Sequence, residues 1–248
     1  MILVLPPSET KQSGGDGPPL QPDALSFPEL DSLRTELIDE VVALAADRPT
    51  SRRALGLTAR QDAEIERNAA LRTAATMPAI RRYTGVLYDA LDADAMRGAQ
   101  AERARSRLAV ASALFGLVRA DDPIPAYRLS AGSKLPGRPG LAARWRPVLE
   151  PVFAGLVADQ LVVDLRSGPY AALARIPDAV KVVVVSETSD GRRTAVSHAN
   201  KAHKGRLARA LAVNRAEPTD AASAAKVARR AGMAVEHVRG ELTLIVPG

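Results

Sequence analysis

The 248-residue chain has no cysteine, which removes disulfide frameworks, thiolate metal sites and cysteine catalysis together. A secreted disulfide scaffold is thereby excluded, and a reducing cytoplasm is the expected location. Aromatic residues make up only 3% of the chain, so aliphatic side chains must build the core. Trp145 and four scattered tyrosines offer no evident stacking platform for single-stranded nucleic acid. Long apolar runs are missing too. The longest, Leu108 to Val118, falls short of the roughly 18 to 20 residues of a membrane-spanning helix. The opening Met-Ile-Leu-Val-Leu-Pro-Pro has no basic segment and too short an apolar stretch for a signal peptide, so a soluble protein with no membrane partner is expected. The phosphate loops G-x-x-x-x-G-K-[ST] and G-x-G-x-x-G are absent, as is the G-x-S-x-G nucleophile turn. His198, His203 and His237 form no H-x-x-x-H pair and have no carboxylate cluster beside them, so no metal and no cofactor is expected.

Charge is plentiful and unevenly placed. The formal net charge is +6. Residues 12–47 carry eight acidic side chains and one basic one, Arg34, whereas residues 191–230 carry ten basic and two acidic ones. Such asymmetry suits a basic face for acidic partners, or reflects solvated arginines spread over an ordinary surface.

Ile2 to Leu5 has the apolar continuity of a buried strand that stops at Pro6-Pro7. Residues 6–28 then form an irregular Pro/Gly/Ser-rich loop, long enough to be functional. Leu30, Leu33, Leu37, Val41 and Leu44 recur at helical spacing and predict a helix ending near Pro49. About residues 50–75, two short helices joined by Leu55-Gly56-Leu57 make a helix-hairpin-helix candidate, with Thr58 and Gln61 opening the second as a capping box. Leu108, Ala111, Leu114, Phe115 and Val118 predict a buried helix across roughly 101–119, and another follows at about 141–157. Leu161–Leu165 and Val180–Val185 have the pattern of buried strands, and Ser189-Asp190-Gly191 turns into a strand at Arg193–Ser197. Helices at about 200–214 and 220–231 precede a closing hairpin, Val235–Val238 and Leu242–Val246. Strands and helices mix without a βαβ rhythm or an internal repeat. The expected fold is α+β, one domain over residues 1–248, with a mixed sheet and surrounding helices.

Three places could carry chemistry. The exit of the first strand, Pro6 to Lys11, sets Ser8, Glu9, Thr10 and Lys11 where a fixed backbone can aim them at a ligand; alternatively it is a proline-stopped turn. Around the hairpin, Arg52, Arg53 and Arg60 flank Gly56, so backbone N–H groups and cations could meet a phosphate together, unless this is only an αα-turn. Farther on, Lys201, Lys204 and Arg209 share one broad helical face, with Arg206 offset, making an anion-binding surface or a solvated basic face.

Several blocks in order give the chain a family likeness. They are the Pro-Pro-Ser-Glu-Thr-Lys opening, Tyr83-Thr-Gly-Val-Leu-Tyr-Asp-Ala-Leu-Asp-Ala93, Leu114-Phe-Gly-Leu-Val-Arg-Ala-Asp-Asp122 and Ala126-Tyr-Arg-Leu-Ser-Ala-Gly132, then Trp145, Val163-Asp-Leu-Arg-Ser-Gly-Pro-Tyr170 and Lys201-Ala-His-Lys-Gly-Arg206. Over its whole length the chain resembles the bacterial YaaA peroxide-stress family. The resemblance implies a positively charged cleft, a helix-hairpin-helix, binding of double-stranded DNA, and protection from peroxide through lower free iron. By position, Lys11 looks like the basic residue of the opening loop and Arg128 like the arginine of the family's Tyr-Arg-Leu-Glu-Met-Gly block. Lys201, Lys204 and Gly205 look like its Lys-Lys-x-Arg-Gly segment. Ser130-Ala131 replaces Glu-Met, and Ala202 and Lys204 stand where Lys and Arg are usual, which marks a divergent branch.

Two functions therefore stand. One is a DNA-binding stress protein with Arg52, Arg53, Gly56, Arg60, Arg128, Lys201, Lys204, Arg206 and Arg209 at the interface. The other is an enzyme for an anionic small molecule, its cleft drawn from Ser8, Glu9, Lys11, Tyr88, Tyr127, Arg128 and Lys201. Lys11 and Arg128 are expected at one cleft. The oligomeric state is left open.

Overall fold

The computed structural model describes residues 1–196 and 200–248. In chain order, β1 (Ile2–Leu5) and β2 (Gly17–Pro19) lead into helices α1 (Asp31–Leu44), α2 (Arg48–Leu55) and α3 (Asp62–Ala69). Next come β3 (Ala75–Pro78), α4 (Ala79–Arg82), α5 (Val86–Leu91) and α6 (Ala99–Arg107). The central stretch holds β4 (Leu108–Ser112), β5 (Gly116–Arg119), β6 (Pro123–Ile124) and α7 (Leu141–Asp159). Then follow β7 (Val162–Asp164), α8 (Gly168–Ala171), β8 (Val180–Glu187) and β9 (Arg193–Ala195). The chain closes with α9 (Asn200–Val213), α10 (Ala221–Arg230), β10 (Ala234–Val238) and β11 (Glu241–Pro247).

The main sheet runs β10-β11-β8-β7-β1-β4-β5, with β9 added antiparallel to part of β8. It is mixed, and the fold is α+β. Its five central strands, β11 to β4, all run parallel, while β10 and β5 are antiparallel edges. That parallel centre departs from the expected absence of βαβ units: β7, α8 and β8 make a short one. A second, three-stranded sheet, β2-β3-β6, lies in the loop-rich part of the chain. β1 explains its own sequence. It sits between β7 and β4 with every residue buried, so it is apolar throughout rather than alternating. One connected aliphatic cluster extends from Met1 through the central strands to Leu244. Among the described residues no helix is long and apolar enough to cross a membrane, and no group of His, Asp and Glu could hold a metal ion; His198 lies outside them.

The helix expected over 101–119 is corrected. α6 stops at Arg107, and the apolar run after it is the antiparallel pair β4 and β5. A strand covered on both faces is as apolar as a buried helix, so spacing alone could not separate them. The turn is fixed locally: Ser112 Oγ accepts the N–H groups of Leu114 and Phe115, at 3.2 and 3.0 Å. Gly116 has φ +72°, and a Cβ there would stand 2.6 Å from the Trp145 ring. Elsewhere α1, α7, α9, α10 and the closing hairpin lie where the pattern put them. Pro49, however, sits in the first turn of α2 rather than simply ending α1. Ser197, the expected end of the β9 strand, lies outside the described residues.

Candidate functional site

Parallel strands leave an opening at their carboxyl ends where neighbouring connections diverge. Here that point lies between β1 and β7. After β1 the chain crosses to β4 on one side; after β7 it crosses to β8 on the other. The loop after β1 is Pro6 to Lys11, so the sheet itself delivers the candidate residues to the ligand position typical of such sheets. The loop after β7 is stiffened by Arg166, whose Nε and Nη2 pair with the two Asp164 oxygens at 2.9 Å each, while Nη1 reaches the Ala174 carbonyl at 2.9 Å.

Lys11 and Arg128, distant in sequence, meet at this edge. Lys11 forms an isolated antiparallel bridge with Tyr83, which draws its side chain inward. Its Nζ donates to the Ser8 and Glu9 carbonyls, at 3.0 and 3.4 Å, and lies 4.1 Å from the centroid of the Tyr127 ring. Burial, reinforced by the Arg128 charge and opposed by Glu64 and Glu9, pulls the Lys11 amine down to about 7. Arg128 Nη2 pairs with Glu9 Oε2 at 3.1 Å, and its Nε is a buried donor with no partner among the described residues. Glu9 thus pairs with Arg128, while Lys11 rests on main-chain carbonyls with Glu64 and Glu9 as the carboxylates acting on it.

All four tyrosines of the chain are grouped around this edge. Tyr83 and Tyr127 hydroxyls are 2.9 Å apart, and Ser112 Oγ at the end of β4 is 2.7 Å from Tyr127 Oη. Tyr88 stacks on Tyr83 at 5.6 Å and donates its O–H to the Pro6 carbonyl at 2.8 Å. Burial pushes the Tyr83, Tyr88, Tyr127 and Tyr170 phenols up, so they stay protonated near neutral pH and act as hydrogen-bond partners rather than bases. Ser8 Oγ contacts Thr10 Oγ1 at 3.1 Å, with no basic side chain bonded to it among the described residues, so it is not arranged as an activated nucleophile.

Around Gly56, where a helix-hairpin-helix is expected but not shown, the three arginines differ in their partners. Gly56 ends α2 with φ +66°, and Thr58 opens the next turn, its N–H donating to Gln61 Oε1 at 3.0 Å. Arg52, however, is turned inward along the hairpin, its Nε and Nη2 on the Asp62 carboxylate at 2.8 and 2.5 Å. Arg53 Nη2 donates to Thr50 Oγ1 at 2.7 Å, and neither it nor Arg60, both exposed, has an ion-pair partner among the described residues. Asp62 and Glu64 occupy the first turn of α3, where a bound phosphate would meet like charge. The far end of α3 reaches the cleft. Buried Asn68 accepts the Arg128 N–H and donates to the Arg128 carbonyl, both at 2.8 Å, clamping that residue's backbone.

The basic stretch on α9 is likewise split. Lys204 is buried, its Nζ donating to the Leu165 and Arg166 carbonyls at 3.1 and 3.3 Å; burial lowers its amine, with Asp164 opposing. Arg209 Nη1 caps the Leu91 and Asp92 carbonyls at 2.8 and 2.5 Å. Only Lys201 and Arg206 of the four point to solvent. The single cationic face expected there is therefore corrected: Lys204, Ala208 and Leu211 lie at i, i+4 and i+7 on the side packed inward.

Asn68, Tyr83 and Tyr170 were not among the expected site residues. Tyr83 and Tyr170 lay inside motif blocks already singled out. No local signal marks Asn68, because its role is a contact 60 residues away.

A family model described as "Peroxide stress protein YaaA" matches residues 1–231. A UPF0246 protein of Corynebacterium efficiens is 49% identical over 99% of this chain and 100% of its own. Another from Corynebacterium glutamicum is 46% identical with the same coverage. One from Streptomyces coelicolor is 41% identical over 95% of this chain and 92% of its own.

Proposed function

Since the chain belongs to the YaaA family of peroxide stress proteins, we propose that it serves peroxide defence by binding oxyanions at the carboxyl-edge cleft, with double-stranded DNA as the partner. The observation that carries this reading is the approach of Lys11 and Arg128 to one rim, where Glu9 pairs with Arg128 and where Glu64 and Glu9 are the carboxylates acting on Lys11. Exposed Lys201, Arg206 and Arg60 add cations for flanking phosphates, whereas Lys204, Arg209 and Arg52 are already engaged. Alongside DNA binding, the family likeness implies protection from peroxide through lower free iron in a reducing cytoplasm. Such contacts are read through phosphate charge, so binding is independent of base sequence and falls steeply as salt rises. Titrating a fluorescent duplex at increasing salt tests this, and an affinity that stays flat between low and moderate salt removes DNA as the partner.

A second reading keeps the same cleft and replaces DNA by an anionic small molecule. The recess favours it: Lys11 is buried and the Arg128 side chain is only 13% exposed, depths that a small ligand reaches more easily than a duplex does. An amine titrating near 7 also suits proton transfer, which would make the protein an enzyme.

A further inference from the structure

We propose that Arg128 is the seat of a terminal, phosphate-type oxyanion, and that Glu9 occupies this seat in the ligand-free protein. The inference rests on the cleft reading above and names both its ligand chemistry and its regulation.

The guanidinium is anchored and its present partner is not. Asn68 holds the Arg128 backbone from both sides, and the side chain is 13% exposed. Glu9 reaches in from solvent with a side chain 68% exposed, and its Oε2 pairs with Arg128 Nη2 at 3.1 Å. A guanidinium binds an oxyanion best side-on, through Nε and one Nη to two oxygens. Arg128 Nε is buried and unpartnered, one of three such atoms among the described residues, so the side-on edge is only half used. Buried charged donors are rarely left unpaired in native proteins, and an exception calls for a partner such as a water, an ion or a ligand atom. Lys11 adds a second donor group beside it, and Ser8, Thr10 and Thr84 line the adjoining rim through hydroxyl contacts of 3.1 Å.

The low exposure of the Lys11 and Arg128 side chains favours the end of a ligand. A phosphomonoester presents three oxygens on one side, while an internal diester must bring a sugar on each flank to the same depth. Glu9 supplies one carboxylate to a site that can hold more negative charge, so it acts as a weak competitor. An exposed ion pair of this kind holds its partners by about two- to fivefold in an equilibrium constant, so the incoming oxyanion displaces it readily.

Calorimetric titration of inorganic phosphate into the wild type, Glu9→Gln and Arg128→Gln tests both halves. Removing the competitor should tighten phosphate binding by about two- to fivefold, and Arg128→Gln should abolish it. Arg128→Lys, which keeps the charge without the fork, should bind weakly, and it covers the case in which Arg128→Gln does not fold. A short duplex with 5′-phosphate ends should compete with phosphate, and the same duplex with 5′-hydroxyl ends should not. Phosphate binding that needs Arg128 but is equal or weaker in Glu9→Gln overturns the Glu9 role and leaves the cleft reading standing. Equal competition by both duplexes overturns the terminal-group assignment. No phosphate binding by any variant overturns the cleft reading itself.

Discussion

The loop after β1 and the first turns of α9 each bury a lysine whose amine rests on two main-chain carbonyls, yet the two regions do different things. Lys204 closes onto the Leu165 and Arg166 carbonyls with Asp164 as its nearby counter-charge. Its helix is pressed against α5 at Gly205, where a Cβ would stand 2.2 Å from the Leu87 carbonyl oxygen. That lysine is a brace. Lys11 has Glu64 and Glu9 as counter-charges, but burial, reinforced by the neighbouring cation Arg128, depresses its amine to about 7. Both lysines have satisfied bonds and counter-charges; the difference is the second cation beside Lys11, on which the proposed anion site rests.

The largest effect should come from the brace. Lys204→Ala leaves two buried carbonyls without their donor and should cost about 3 kcal/mol of folding stability, read by urea unfolding. Lys11→Met should instead fold within about 1 kcal/mol of wild type, because the Ser8 and Glu9 carbonyls lie in a partly exposed loop that water can reach. Its phosphate or duplex affinity should drop by about tenfold, a typical loss for one charged hydrogen-bonding group. If Lys11→Met unfolds as readily as Lys204→Ala, the two lysines are both braces and the distinction collapses.

pH separates the regions next. The Lys11 amine sits at about 7 in the folded chain and near 10.5 when exposed, so between these values the unfolded chain holds more protons. Wild-type stability relative to Lys11→Met should therefore rise as pH increases from about 7 to 10, and the gain should be lost as pH falls back through 7. Anion affinity should run the other way, weakening above pH 7 as the amine loses its charge. The charged groups acting on it are Arg128, Arg67, Glu64 and Glu9, and the neighbouring phenols remain neutral across this window. An affinity that is level from pH 6 to 8.5 would take Lys11 out of the anion site.

The smallest effects concern the exposed rim. Lys201→Ala and Arg206→Ala should each lower the salt dependence of duplex binding by up to about one unit, with melting unchanged. Arg52→Ala should leave that slope alone and loosen the hairpin, since its guanidinium is spent on Asp62. A reduced slope in Arg52→Ala would return the hairpin to the role of a DNA contact.

The strands that frame the cleft were legible because burial on both faces writes itself as unbroken apolar sequence, as in Ile2–Leu5 and Val180–Val185. The same continuity misled at Leu108–Val118, where helical spacing and a buried strand pair produce the same letters. The Pro-Pro stop ends β1 at Leu5, and the polar residues after it lie at the carboxyl edge of the sheet. Lys204 was misplaced because a basic residue reads as solvent-facing, although its face also carries Ala208 and Leu211.

By itself the sequence determined the aliphatic core, the positions of most helices and strands, the turn at Gly56 and the family likeness. These depend on local backbone preference and on the spacing of apolar residues, which short windows contain. Only the tertiary structure decided that the central strands run parallel, that their connections diverge between β1 and β7, and that Lys11, Arg128 and four tyrosines meet there. It also decided which cations remain exposed, because whether a lysine faces water or a carbonyl is set by the element packed over it. Asn68 and Arg128, 60 residues apart, are joined by two hydrogen bonds that exist only once the chain has folded.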